Sequence, residues 1–188
     1  MYYELRPDIY ADYGVTDDPI DRAGKFMRGK ALDDTFDNPI IFPCDNTKEH
    51  PPRGFDGIAI PVWSADFLSC LKKAGVQNLQ VYPAILRNSK ANFEWTDYYA
   101  VNVIGIVQCM HKSSEATRVA GRPSDLDYSK VHKLVIDSSL AKGAELFRLA
   151  ESNTMLIIHQ RLADALKKNA PSNGWGITLR PIEEASND

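Results

Sequence analysis

A chain of 188 residues with 44% hydrophobic and 25% charged side chains has the length and balance of one ordinary soluble domain. Its formal net charge of -3 excludes a general attraction to nucleic acid or acidic membranes, and no apolar run nears the roughly 18 residues that a spanning helix needs. Three cysteines (Cys44, Cys70 and Cys109) and a start, "MYYELRPDIYADYG", without a basic head or an apolar middle exclude a disulfide framework and a secretory signal, and point to a reducing cytoplasm.

The N-terminal third, residues 1–57, is rich in Asp, Pro and Gly and shows little periodicity. Short strands are predicted at "YYELR" and at Ile40–Phe42, between Pro39 and Pro43, followed by the polar loop "CDNTKEHPPRGFDG". Residues 1–56 hold 12 acidic and 7 basic side chains, whereas the rest holds 13 and 15. The carboxylates cluster at Asp17, Asp18 and Asp21 and again at Asp33, Asp34 and Asp37. This irregular acidic region is expected to wrap a core formed by residues 58–188, the whole making a single domain.

The second part opens with Ile58, Ile60 and Val62 as a short strand, where Pro61 suggests a sheet edge. Ser64 is a good N-cap, Asp66 suits the first turn, and Phe67, Leu68, Leu71 and Ala74 share one helical face. Gly75 supplies a left-handed stop, and "LQVY" follows as a strand closed by Pro83. "YYAVNVIGIVQCM" (98–110) reads as one central strand covered on both faces, "VHKLVID" as a shorter one ending at Asp137, and "AELFRL" as another. Between the first two, "HKSSEATRVAGRPSDLDYSK" is a long polar connection. "TMLIIHQRLADALKKNAPSNGWGITLRPI" then repeats the strand–helix–strand pattern. Leu71-Lys72-Lys73 and Leu166-Lys167-Lys168 match at an offset of 95, and Pro83 and Pro181 at an offset of 98. An internal duplication and convergent helix grammar both account for this echo. The fold class is α+β, a mixed and mainly antiparallel sheet with two well-marked helices.

Motifs that would carry chemistry fail on inspection. "GKFMRGKA" (24–31) has the glycine spacing of a phosphate-binding loop, but polar, proline-broken residues precede it and Ala31 stands where a magnesium-holding hydroxyl belongs. A basic, glycine-flanked surface turn is the better reading. Cys109 and His111 could share a face and a metal, but a buried thiol beside an exposed histidine explains them more simply. No metal, cofactor or catalytic residue is expected, and no Gly-x-Ser-x-Gly elbow is present. Asn102, inside an apolar strand, must be hydrogen-bonded and reads as an anchor. In "AILRNSKANFEWTDYY" Glu94 and Asp97 interrupt what would otherwise be a basic, aromatic stripe for nucleic acid, so a turn between two strands is expected there.

One further set of positions carries a resemblance. Ser64 with Phe67 and Leu71; Gly75, Val76, Leu79 and Pro83; Tyr98, Tyr99, Asn102 and Val103; Leu134 to Asp137; Phe147, Arg148 and Leu149; and Ile157, Ile158, Leu162 and Leu166 follow one another as in a family of bacterial immunity proteins of polymorphic toxin systems, long described as a domain of unknown function. The likeness spans roughly residues 58–180, and Cys109-Met110-His111 departs from it. It implies a binding protein whose partner is a cognate toxin, with no cofactor, nucleic acid or membrane. Because many toxins that act on nucleic acids present basic clefts, Asp17, Asp18, Asp33, Asp34 and Asp37, with Trp95 as aromatic anchor, are the candidate partner-binding residues. A small hydrolase or transferase whose site forms only in three dimensions, and a regulatory or scaffold module of a secretion locus, are the alternatives.

Overall fold

The computed structural model describes residues 1–8, 12–19, 23–33, 35–36, 38–118 and 128–185. In chain order these form β1 (Tyr2–Pro7), a 3₁₀ turn (Ala23–Met27), β2 (Ile40–Pro43), β3 (Phe55–Asp56), β4 (Val62–Ser64), α1 (Ala65–Lys73), β5 (Leu79–Asn88), β6 (Phe93–Val103), β7 (Ile106–Val107), β8 (Glu115–Arg118), β9 (Tyr128–Lys133), β10 (Val135–Ile136), β11 (Leu146–Leu149), β12 (Ser152–His159), α2 (Gln160–Lys168) and β13 (Ile177–Glu184). One sheet has the order β10-β13-β1-β12-β11-β7 and a second the order β2-β5-β6-β4-β3, while β8 pairs with β9. Pairing is mainly antiparallel, and the chain is α+β, as expected.

Both helices start and stop for local reasons. The Ser64 hydroxyl accepts the Phe67 amide at 3.2 Å, which satisfies one of the unpaired first-turn donors. Phe67, Leu68, Cys70 and Leu71 turn inward, and Gly75 leaves the helix at φ +93, a conformation that costs other residues. At α2 the cap is His159, whose ring nitrogen accepts the Arg161 amide, and Leu162, Ala163 and Leu166 are buried.

The sequence echo is structural. α1 and α2 have equal length and lie 95 residues apart, and the strands around them correspond one for one. β2 pairs parallel with β5, and β5–β6, β6–β4 and β4–β3 are antiparallel. In the other sheet β10 pairs parallel with β13, and β13–β1, β1–β12 and β12–β11 are antiparallel. Registers coincide as well. Tyr98 and Tyr99 face Ala84 and Pro83 on one side and Ser64 and Trp63 on the other; Tyr2 and Tyr3 face Ile182 and Pro181, then His159 and Ile158. Single hydrogen bonds recur too: Ser64 N to Gly54 O (2.9 Å) matches His159 N to Glu145 O (2.8 Å), and Ile104 N to Asn78 O (2.8 Å) matches Asp8 N to Gly176 O (2.9 Å). The chain therefore contains two copies of one β-β-β-α-β-β unit. The last strand of the second copy is supplied by the N-terminus.

Three apolar clusters follow this plan. The largest joins both helices to the sheet faces that carry them, with Trp63, Phe67, Leu71 and Val101 from one copy and Ile158, Leu162, Leu166 and Leu5 at the matching places of the other. Val62, Ala84 and Tyr98 lie in a second cluster, on the far face of one sheet. Their counterparts Ile157, Ile182 and Tyr2 lie in a third, behind the other.

Some expectations are corrected. Residues 98–110 are not one central strand: β6 ends at Val103, Gly105 turns the chain at φ +125, and β7 joins the other sheet beside β11. An apolar run reports burial but not a change of sheet. Neither Pro83 nor Pro181 ends its strand, because a proline removes one donor while the outer strands pair only from Ala84 and Glu183 onward. Residues 1–57 contribute Tyr2, Tyr3, Leu5, Phe26, Ile40, Phe42 and Cys44 to the clusters, and β1 lies between β12 and β13. The ends of the long polar connection form β8 and β9, and its middle, residues 119–127, lies outside the described residues.

Because the Met1 ammonium lies 2.9 Å from Glu184, a short glycine–serine bridge can join Ala185 to Met1. A circular permutant so joined and opened between Asp8 and Asp12 should fold, with the parent's circular dichroism and cooperative melting; a non-cooperative melt would contradict the two-copy plan. Ser64→Ala should cost about 1 kcal/mol in denaturant unfolding by loss of the α1 cap.

Candidate functional site

The β5–β6 hairpin shapes the most distinctive surface. At its turn the Asn88 carboxamide oxygen accepts the amides of Lys90 and Ala91, both at 3.0 Å, while its nitrogen donates to Asn46 O at 2.8 Å. Asn92 takes a left-handed conformation at φ +49. Leu86 faces Trp95 and Ala84 faces Tyr98, so Thr96 and Asp97 bulge opposite Ile85 alone. Such a bulge re-aims side chains. Between it and the start of α1 runs a groove of about 440 Å³ lined by Asp66, Phe93, Glu94, Trp95, Asp97 and Tyr98 among others.

Aromatic surface and negative charge meet in this groove. Trp95 and Phe93 pack edge to face, with ring centroids 4.8 Å apart, and the Lys48 ammonium sits 4.9 Å from the Phe93 ring. Glu94 is paired with Arg87. The Tyr98 hydroxyl donates to Pro52 O at 2.9 Å, and its pKa is driven up by burial and then by the field of Asp56, Asp97, Cys44 and Asp66.

The groove continues over α1 into a cleft of about 710 Å³ between the two helices, which shares Ser64, Asp66 and Tyr98 with it. Lys73 and Lys168, matching residues of the two copies, border this cleft together with Arg53, which is paired with Asp8 at 2.8 Å. Cys70 on its floor contacts Ala165 O at 3.7 Å, and these two are also matching positions. The Trp175 indole donates to Leu166 O at 2.8 Å. The surface is thus acidic and aromatic at one end and cationic at the other.

Of the residues singled out from the sequence, Trp95 lines the groove, and Asp17, Asp18 and Asp33 do not. Asp17 is exposed and accepts the Asp18 amide at 2.9 Å. Asp18 accepts the amides of Ala59 (2.9 Å) and Ile60 (3.3 Å), which fixes the approach to β4. Asp33 is exposed. Asp34 and Asp37 lie outside the described residues. Sequence reasoning passed over Asp66, Glu94 and Asp97 as a helix-start residue and two interruptions of a basic stripe. That interruption was the available signal, because the same alternation sets carboxylates on either side of Trp95.

The remaining chemical candidates have structural explanations. The Asn102 carboxamide is an anchor: it donates to Lys30 O (2.8 Å) and Gln80 Oε1 (2.9 Å), and Gln80 exchanges two hydrogen bonds with the backbone of Leu32. The segment tied down in this way is the glycine-spaced one. Phe26 is wholly buried there, and Gly29 O accepts the Gly105 amide at 2.8 Å. No group of three His, Cys, Asp or Glu among the described residues is placed to hold a metal. His111 instead contacts the Ser113 hydroxyl at 2.8 Å. The three cysteines are buried thiols. Burial pushes Cys44 up to about 11 and Cys109 up to about 12, and it raises Cys70 as well. Native protein treated with iodoacetamide at neutral pH should therefore keep all three thiols unmodified, and denatured protein should lose them; fast native alkylation, read by mass spectrometry, would reveal a reactive thiolate.

No helix is long and apolar enough to cross a membrane among the described residues. A search of curated proteins found no match to this chain. A family model does match, described as an immunity protein family, Imm11, and it covers residues 5–184. That span takes in both copies of the repeated unit, including the second half of β1, and with nearly its whole length matched the chain belongs to the Imm11 immunity protein family.

Proposed function

We propose that this protein neutralises a cognate toxin of a polymorphic toxin system by binding it, in the cytoplasm of the cell that makes both, without making or breaking a covalent bond. The family match carries this reading. The buried thiols offer no reactive cysteine to the alternative of a thiol hydrolase.

The hairpin groove is the surface we assign to that contact. Trp95 is half-buried, so its ring is already ordered and loses little freedom on docking. Aromatic anchors of this kind dominate binding energy when a partner closes over them. Asp66, Glu94 and Asp97 around it offer carboxylates to a basic cleft. Asp17, Asp18, Asp33, Asp34 and Asp37 add longer-range negative field that speeds encounter. A single protein with this division has a centre that sets the off-rate and a periphery that sets the on-rate.

Co-expression with the toxin encoded beside it tests the function: the wild-type chain should restore growth. In purified components, Trp95→Ala should weaken binding by roughly 30-fold, the loss of a typical hot spot, mainly through faster dissociation. Asp33→Asn/Asp34→Asn/Asp37→Asn should instead slow association at low salt and flatten its salt dependence. Wild-type kinetics in both variants would remove this surface while leaving the immunity role intact.

A further inference from the structure

The cleft between α1 and α2 lies where the two copies meet. Cys70 and Ala165 are matching residues and touch each other there. One turn further along each helix, Lys73 and Lys168 border the same space of about 710 Å³. Both lysines are exposed, and no ion pair reaches either of them among the described residues. Asp164, one turn before Lys168 on α2, is engaged by the Gln160 carboxamide at 2.6 Å. Arg53, also on the cleft wall, is neutralised by Asp8.

The helix dipoles do not account for this pair. A cation in the last turn is favourable at each C-terminus, and the adjacent Lys72 and Lys167 already supply one. Lys167 is engaged with the Tyr3 ring, its ammonium 5.1 Å from the centroid. Lys73 and Lys168 are a second cationic pair, and the cleft is what they share.

One wall of the cleft is firm. The link after α2, residues 169–176, is three residues longer than its match, residues 74–78, and it carries Trp175 to the cleft. The Trp175 and Phe67 ring centroids lie 5.4 Å apart, and the indole is anchored on Leu166 O. A wall held in this way loses little freedom when something docks against it. The space, roughly that of two dozen waters at liquid density, admits several side chains at once.

Charge decides what those side chains are. Two lysines without partners are complemented by carboxylates. A long polyanion does not fit, because the cleft runs along α1 to Asp66, about 10 Å from Lys73 by helix rise, and then into the groove of Glu94 and Asp97. The negative stretch of a partner must be short, and positive charge must follow it.

We propose that the interhelical cleft receives a short acidic segment of the toxin, its carboxylates on Lys73 and Lys168, while a basic stretch of the same toxin surface lies beyond Asp66 in the Trp95 groove. This rests on the toxin-binding reading and gives the bound partner a direction along α1.

The complex with the toxin encoded beside the chain tests it. A zero-length carbodiimide joins a carboxylate to an amine in contact with it. Treated complex, read by mass spectrometry, should show Lys73 or Lys168 linked to Asp or Glu of one toxin segment, and Asp66 or Asp97 linked to toxin lysines. Lys73→Gln/Lys168→Gln should weaken binding about tenfold or more, the loss of at least one charge-assisted hydrogen bond. Lys72→Gln/Lys167→Gln makes the same change in net charge and should bind nearly as the wild type does. Equal weakening by the two variants, wild-type affinity in Lys73→Gln/Lys168→Gln, or a complex in which neither lysine links to the toxin would overturn the assignment. So would tight binding of a short single-stranded oligonucleotide by the free chain that is lost in Lys73→Gln/Lys168→Gln. Failure of the wild-type chain to bind the toxin at all would instead overturn the immunity reading, and this assignment with it.

Discussion

The contact between α1 and α2 is the interaction on which the rest of this fold depends. Each helix covers one face of its own sheet, and neither sheet is closed by that alone. Phe67 and Leu71 meet Leu162 and Leu166 in one apolar cluster, so the two copies share a core instead of each needing a complete one. Small side chains at the crossing, Cys70 and Ala165, let the helix backbones come close. Removing a buried leucine here would open a cavity at the joint between copies, the least forgiving place for one.

Symmetry makes the departures from it informative. The long β5–β6 hairpin that presents Trp95 has no counterpart among the described residues, because the corresponding strands, β13 and β1, are not consecutive in the chain. The groove belongs to one copy alone. Gly57 and Arg148 likewise occupy equal places with very different side chains. At both places the copies have diverged in chemistry while their strands keep the same registers. The scaffold tolerates this because its ladders fix the backbone whatever the outward side chains are.

Much of the helical grammar was legible in the sequence, since it is local. Ser64, Phe67, Leu71 and Gly75 specify a start, a face and a stop within a dozen residues. The offset between the two lysine pairs likewise marked the two copies. What the sequence hides is pairing at a distance. Tyr3 lies beside Ile158 and Pro181, and no spacing rule reaches that far. The likeness of "YYEL" to "YYAV" was in view, but it lies at the wrong end of the chain for a tandem repeat. Gly105 shows the other blind spot: one left-handed residue moves the chain between sheets without changing its apolar composition. Trp95 was readable as an aromatic in a hairpin, with Glu94 and Asp97 beside it in the sequence; Asp66 was not, because it comes from α1, which only the fold brings near.

The placement of β1 has a consequence for synthesis. A ribosome delivers this strand before the whole of the first copy, yet both of its neighbours, β12 and β13, are made after that copy. At ordinary translation speeds roughly ten to thirty seconds separate them. During that interval the first copy can assemble around α1 while Tyr2, Tyr3 and Leu5 stay exposed on the nascent chain. The final act of folding is then a closure, in which the oldest residues slot between the newest.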